Sequence, residues 1–194
     1  GFSGAESGKV KIGDTVVVFA QGPIGLCATA GAKLRGATRI ITVDGIAERL
    51  AISKRMGEDI TINFREKNPI DEIMKITDGK GVDVAIEALG TQQTFESCLR
   101  VLKPGGVLSS LGVYSGQLTL PGDAFASGLA DQTIVTTLCP RGKERMRRLL
   151  NVVESGRVDL KPLVTHRFRL DQIEEAYDLF ANARDGVLKI AITP

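Results

Sequence analysis

The sequence predicts an α/β fold, a doubly wound parallel sheet followed by a C-terminal strand–helix–strand segment. Three observations lead there. Apolar, β-branched runs alternate along the chain with stretches of helical periodicity. The runs over residues 15–20, 39–43, 82–88 and 107–111 are apolar enough for strands covered by helices on both faces. Between the first two runs lies Gln21-Gly22-Pro23-Ile24-Gly25, a strand–glycine–helix junction of the kind that opens a nucleotide-binding βαβ unit, as in a Rossmann fold.

Each element can be justified in turn. Residues 9–13 are a polar lead-in to the first strand, Thr15-Val16-Val17-Val18-Phe19-Ala20. In the junction, Gly22 lets backbone approach a pyrophosphate, Pro23 suits a first helical turn, and Gly25 lets the helix lie close to its strand. The free N–H groups and positive dipole end of that helix then face the phosphates. The motif departs from the usual pattern at one point, because Ala20 stands where the first glycine is expected. The helix over 23–35 sets Ile24, Ala28 and Ala32 along a small-residue face and closes at Gly36. The second strand, 39–43, ends in Asp44, nineteen residues after Gly25, where such folds place a carboxylate for the adenosine ribose. A plain helix-capping role for Asp44 or Gly45 is the structural alternative. A helix over 47–55 with Leu50 and Ile52 stops at Gly57, and 60–63 is a short strand. Pro69 opens a helix with Asp71 and Glu72 in its first turn. After the turn Gly79-Lys80-Gly81, the fourth strand runs over 82–88 and ends at Leu89-Gly90.

A helix over 94–102 follows, and Lys103-Pro104-Gly105-Gly106 breaks the chain before a fifth strand over 107–111, which ends at Gly112-Val113-Tyr114. A looser stretch over 115–131 leads to a sixth strand over 132–138. Residues 141–154 read as a basic amphipathic helix, with Met146, Leu149, Leu150 and Val153 on one face and Arg141, Lys143, Arg145, Arg147 and Arg148 around the rest. A strand over 163–168, a helix over 171–183 and a strand over 187–192 close the chain. That tail is too short to form a domain alone.

Composition narrows the function. The chain has 194 residues, 43% hydrophobic and 25% charged, with a net charge of +2, which points to no polyanion partner and to a solvated basic helix. With so small a net charge no nucleic-acid partner is expected, and with no apolar run long enough to span a membrane no membrane partner is expected either. Cys27, Cys98 and Cys139 are widely spaced and read as reduced thiols of a cytoplasmic protein. His166 is the only histidine. No metal site and no catalytic residue is therefore assigned, and His166 reads as structural. Tyr114 and Tyr177 lack the serine and lysine spacing of short-chain dehydrogenases. The opening Gly1-Phe2-Ser3-Gly4-Ala5-Glu6 suggests a piece of a longer protein.

Several stretches resemble the medium-chain, zinc-dependent alcohol dehydrogenases, nearest to the tetrameric bacterial secondary-alcohol enzymes. They are Gly1-Phe2 with Gly4-Ala5-Glu6, the Gly22-to-Gly25 turn, Gly31-Ala32-Lys33-Leu34-Arg35-Gly36-Ala37, Gly79-Lys80-Gly81-Val82-Asp83, Lys103-Pro104-Gly105-Gly106, Leu138-Cys139-Pro140 and Leu163-Val164-Thr165-His166. The resemblance implies an NAD(P)-binding Rossmann domain over 1–138, and a segment over 139–194 that packs on an absent N-terminal domain holding the zinc and the substrate pocket. It implies an intact enzyme that is a homo-oligomer, dimer or tetramer, and that moves hydride between an alcohol or carbonyl substrate and the cofactor. The fragment alone would be inactive. The last strand would be left as an orphan edge.

By the same resemblance, Gln21, Gly22, Pro23 and Ile24 meet the pyrophosphate and Asp44 with Gly45 meets the adenosine ribose. Phe64 lies beside the adenine, Leu111, Gly112 and Val113 line the nicotinamide side, and Lys189 reaches a phosphate or ribose; Leu89-Gly90 is a candidate because ligands of such sheets bind beyond the carboxyl ends of strands. NADP-using relatives carry a small residue in place of Asp44. A carboxylate there accepts hydrogen bonds from a free 2′-OH and repels a phosphate, so NAD is expected over NADP. Arg49 could soften that repulsion, but is expected to pair with Glu48 or Asp44. Two other readings stay open: a zinc-free quinone or enoyl reductase of the same superfamily, and a non-catalytic nucleotide-sensing Rossmann module.

Overall fold

The computed structural model of the chain describes residues 1–140 and 142–194. It divides into two compact units, Gly1–Pro140 and Arg141–Pro194. Arg141, with which the sequence opens the basic helix, lies outside the described residues.

In the first unit, β1 (Thr15–Phe19), β2 (Arg39–Asp44), β3 (Ile60–Asn63), β4 (Val82–Glu87), β5 (Leu102–Ser110) and β6 (Thr133–Thr136) form one sheet in the order β3-β2-β1-β4-β5-β6. Every neighbouring pair is parallel. The helices α2 (Pro23–Leu34), α3 (Ala47–Met56), α4 (Pro69–Ile76) and α5 (Gln92–Arg100) connect successive strands. This is the doubly wound α/β sheet that the sequence predicts. Its order reverses between β1 and β4, the switch point beyond whose strand ends such sheets bind ligands.

The two-residue alternation of β1 divides the core. Val17 and Phe19 join Ile41, Val43, Phe95 and Leu99 on one face. Val16 and Val18 join Ile40, Ile86, Ala28 and Ala32 on the other. Fully burying one such aliphatic side chain contributes about 1.5–3 kcal/mol, so a strand covered on both faces needs no charged residue to hold its register. Ala28 and Ala32 bring α2 close to the sheet as expected, but Ile24 is half exposed at the start of the helix, away from that face.

Several boundaries differ from the sequence reading. A six-residue helix, α1 (Phe2–Ser7), precedes the polar lead-in, over residues for which the sequence predicted no element. Gly4 allows it to lie against Leu111, since a Cβ there would stand 2.6 Å from Leu111 Cδ1. Ser7 Oγ meets Ser109 Oγ of β5 at 2.8 Å. Lys103-Pro104-Gly105-Gly106 does not break the chain before β5. It is a bulge inside that strand, for the pairing jumps from Val82↔Leu102 to Val84↔Val107. The Gly105 N–H is satisfied by the Ala130 carbonyl at 2.7 Å instead of by the ladder. Consequently α5 ends at Arg100, short of the expected Leu102, and starts at Gln92, capped by the Thr91 hydroxyl. The ladder of β6 covers only Thr133–Thr136, shorter than the expected 132–138.

The second unit contains α6 (Lys143–Glu154), β7 (Val164–Arg169), α7 (Ile173–Ala181) and β8 (Lys189–Thr193). The last strand is an edge, as expected, but it is not without a partner. The last strand pairs in parallel with β7, matching Ile190, Ala191 and Ile192 to His166, Arg167 and Phe168. Val187 and Leu188, read as part of that strand, are instead buried residues that lead into it. On α6, Glu144 accepts hydrogen bonds from Arg147 and Arg148, which lower its pKa to about 2. His166 has partners on both ring nitrogens, Thr165 Oγ1 at 2.9 Å and Asp185 at 3.2 Å, as a structural histidine would.

Candidate functional site

The turn between β1 and α2 is strained and tightly packed on one side and open on the other. Ala20, in the place of the usual glycine, has φ +70. A left-handed conformation costs an L-residue about 1–2 kcal/mol. Gln21 is fully buried, and its side chain turns inward: its amide donates to the Val18 and Ala20 carbonyls and accepts the Thr29 hydroxyl at 3.1 Å. The Gln21 side chain is thus used inside the turn. Gly22 is the N-cap of α2 with no side-chain cap, Pro23 follows, and nothing lies within 4 Å of where a Gly22 Cβ would project. The first-turn N–H groups of Ile24 and Gly25 thus have no side-chain cap and lie at the positive end of the dipole of this twelve-residue helix. At Gly25 the reverse holds, for a Cβ there would overlap the Ala20 carbonyl oxygen.

Asp44 closes β2 beside this turn and is only 5% exposed. Its Oδ2 accepts the Gln21 backbone N–H at 2.6 Å and its Oδ1 accepts the Ile46 backbone N–H at 2.9 Å. A cleft of about 210 Å³ opens past it, lined by Ala20, Gly45, Arg49, Phe64 and Leu89 among others. Gly45 makes room for the Phe64 ring, since a Cβ at Gly45 would come within 2.5 Å of its Cζ. Among the described residues Arg49 pairs with neither Glu48 nor Asp44, contrary to expectation. Its Nε is buried in the cleft wall without a hydrogen-bond partner.

Across the switch point, the ends of β4 and β5 are joined by a residue that sequence reasoning missed. Glu87 is 0% exposed. Its Oε1 accepts the backbone N–H groups of Leu89 and Gly90, both at 2.8 Å, and the Thr94 hydroxyl at 2.7 Å. Its Oε2 accepts the Tyr114 hydroxyl at 2.8 Å, which also meets Ser110 Oγ. Burial raises the Tyr114 pKa far above its ordinary value; the Ser110 bond opposes the rise and the Glu87 bond adds to it. Burial, with the Glu87 charge behind it, also raises the Cys98 thiol. The signal in the sequence was a carboxylate closing the apolar run Val84-Ala85-Ile86 just before Leu89-Gly90, but nothing local says that it is buried.

Leu89 and Val113 are exposed at this end, while Leu111 is partly buried and donates its N–H to the Glu87 carbonyl at 2.8 Å. Gly90 and Gly112 touch through their backbones, so that a Cβ at Gly112 would overlap Gly90. The structure thus gathers the predicted residues of the first unit at the carboxyl ends of β1 to β5, with Arg49 on α3. Lys189 is exposed at the start of β8 in the second unit. Among the described residues, no three His, Cys, Asp or Glu side chains come together as a metal ion would require.

A family model described as zinc-binding dehydrogenase matches residues 23–155, from the glycine turn into α6. The chain belongs to this family. An alcohol dehydrogenase of Cupriavidus necator is 69% identical over 194 residues, which is 100% of this chain and 53% of that protein. The NADP-dependent isopropanol dehydrogenase of Thermoanaerobacter brockii is 40% identical over 193 residues, 97% of this chain and 54% of that protein. Among solved structures, the alcohol dehydrogenase TADH from Thermus sp. ATN1 superposes with a TM-score of 0.88 at 30% identity, covering 100% of this chain and 55% of that one. This zinc-binding dehydrogenase chain spans about half the length of the curated relatives it matches. The resemblance read from its motifs therefore stands.

Proposed function

We propose that these 194 residues are the nicotinamide-dinucleotide-binding part of an alcohol dehydrogenase. One observation supports this above the others: the uncapped α2 N-terminus behind an open Gly22 stands next to a strand-end carboxylate, Asp44, which holds the turn and lines the cleft that opens past it. The bound cofactor would exchange hydride at its nicotinamide ring with an alcohol or carbonyl substrate.

The chain's own residues bind and orient. Gly22, Pro23, Ile24 and Gly25 seat the pyrophosphate on the α2 N-terminus, with Gln21 shaping the turn behind them through its bond to Asp44. Asp44 and Gly45 hold the adenosine ribose, with Phe64 at the adenine and Arg49 at the cleft wall. Leu89, Gly90, Leu111, Gly112 and Val113 form the bed of the nicotinamide half. Lys189 contributes to a phosphate or ribose. Asp44 favours NAD, because a unit charge about 5 Å from it at an effective dielectric of about 20 is repelled by about 3 kcal/mol before salt screening. The T. brockii relative carries NADP in its name, which makes this choice the point most open to direct test.

The described residues do not fit a zinc ion. In this reading zinc and the substrate pocket belong to an N-terminal catalytic domain of the longer protein. Residues 1–138 serve the cofactor and 139–194 return to that domain. The intact enzyme is a cytoplasmic homo-oligomer, and the 194 residues alone give no turnover. No described helix is long and apolar enough to cross a membrane.

Calorimetric titration with NADH and with NADPH tests the reading. Saturable NADH binding with weaker NADPH binding is expected. Equal affinities would overturn the NAD preference, and failure of both ligands would overturn the cofactor site.

A further inference from the structure

We propose that Glu87 sets which oxidation state of the cofactor the site prefers: its buried negative charge favours the oxidised, cationic nicotinamide over the reduced, neutral ring. The inference rests on the dinucleotide reading above and deepens it.

The argument begins with placement. A dinucleotide spans the two halves of a doubly wound sheet across the switch point. Asp44 marks the adenosine half at the end of β2, so the ends of β4 and β5 face the other nucleotide. Glu87 closes β4 at that place. No side chain separates it from the adjoining loop, since a Cβ at Gly112 would overlap its Oε2.

Charge is the second part. The donors around Glu87 are two backbone N–H groups and two hydroxyls, all neutral. Among the described residues no lysine, arginine or histidine forms an ion pair with it. With no exposed surface of its own, the carboxylate is shielded from salt and water, and its field reaches further than that of a surface acid. Oxidised and reduced cofactors share their shape almost entirely at the nicotinamide and differ there by one positive charge. A fixed anion near that ring must therefore discriminate between them.

A clamp that merely fixes the loops can be distinguished from a charge that selects. Glu87→Gln keeps the size of the side chain, and its oxygen can still accept from Leu89, Gly90 and Thr94, while its amide faces Tyr114, whose oxygen can accept. Tyr114→Phe removes one donor and leaves the charge in place.

The experiment measures the affinities of NAD+, NADH and ADP-ribose for the 194-residue chain and both variants, alongside their thermal unfolding. Glu87→Gln should weaken NAD+ relative to NADH by about fivefold or more, with ADP-ribose changed by less than about twofold. Tyr114→Phe should move the NAD+ to NADH ratio the other way. An unmoved ratio in Glu87→Gln, or a proportional loss of all three ligands, overturns the inference and leaves a clamp. Should Glu87→Gln not fold, Tyr114→Phe decides, and a ratio that stays still or moves toward NADH overturns it. Failure of all three ligands on the unaltered chain would instead remove the dinucleotide reading, and this inference with it.

Discussion

Oδ2 of Asp44 accepts the backbone N–H of Gln21 at 2.6 Å, so the last residue of β2 holds in place the turn that leaves β1. The other oxygen holds Ile46. An asparagine at position 44 must direct its amide N–H₂ at one of these two donors. Hydrogen bonds to a charged group contribute about 1.5–3 kcal/mol each. Asp44→Asn should therefore lose about 1–3 kcal/mol of unfolding free energy in a denaturant titration, and NADH affinity should fall with it. An unchanged midpoint would show that the turn keeps its shape without the carboxylate.

Ala20 at φ +70 stores strain that a glycine would not. Ala20→Gly should raise stability by roughly 0.5–1.5 kcal/mol, the relief of the left-handed conformation less the added freedom of the unfolded chain. A higher denaturation midpoint with an unchanged slope is the expected result. A lower midpoint counts against strain at this position.

Two glycines a turn apart should behave oppositely. Gly25→Ala puts a methyl into the Ala20 carbonyl and should cost about 1–3 kcal/mol or more, with α2 displaced from its strand. Gly22→Ala meets nothing within 4 Å and should leave stability within about 0.5 kcal/mol. Its methyl would stand in the space assigned to the pyrophosphate, so calorimetry should record a large loss of NADH affinity from an intact fold. Undiminished NADH binding by Gly22→Ala would place the ligand elsewhere.

The Tyr114 phenol gives a pH prediction with a definite sign. Burial comes first among the causes that raise its pKa in the fold, with the Glu87 bond reinforcing it. The folded state then holds the proton more tightly than the unfolded one. The resulting stability is complete below the ordinary tyrosine pKa of about 10 and is lost as pH rises through the folded value. Unfolding free energy should thus fall with rising pH above about 10, and Tyr114→Phe should flatten that slope. A slope unaffected by the substitution would assign the alkaline loss to other groups.

Much of the sheet was legible because it depends on patterns the chain repeats locally. Val16, Val17, Val18 and Phe19 can be buried on both faces only in a covered strand, and Gly22 and Gly25 sit at the spacing that a strand–turn–helix junction needs. What could not be read was set by distant partners. The α1 helix lacks an apolar stripe and owes its place to Gly4 beneath Leu111 and to the Ser7–Ser109 contact. The bulge at Lys103-Pro104-Gly105-Gly106 looks like a chain break until Ala130 supplies an acceptor for Gly105. Glu87 looks like any strand-end acid until Thr94 and Tyr114, from two different elements, enclose it. The partner of the final strand, β7, lies more than twenty residues earlier and across a helix, beyond the reach of local pattern.

The backbone crossing of Gly90 and Gly112 bears on how the chain can be altered. Neither loop has room for a side chain at that point, and each is shaped against the other. An engineer who grafts only one of them from a relative brings half of a matched pair. The loops after β4 and β5 should be exchanged together, as a single cassette that includes Glu87 and Tyr114, and libraries should leave both glycines untouched while varying Leu89 and Val113, whose exposed side chains have space to change.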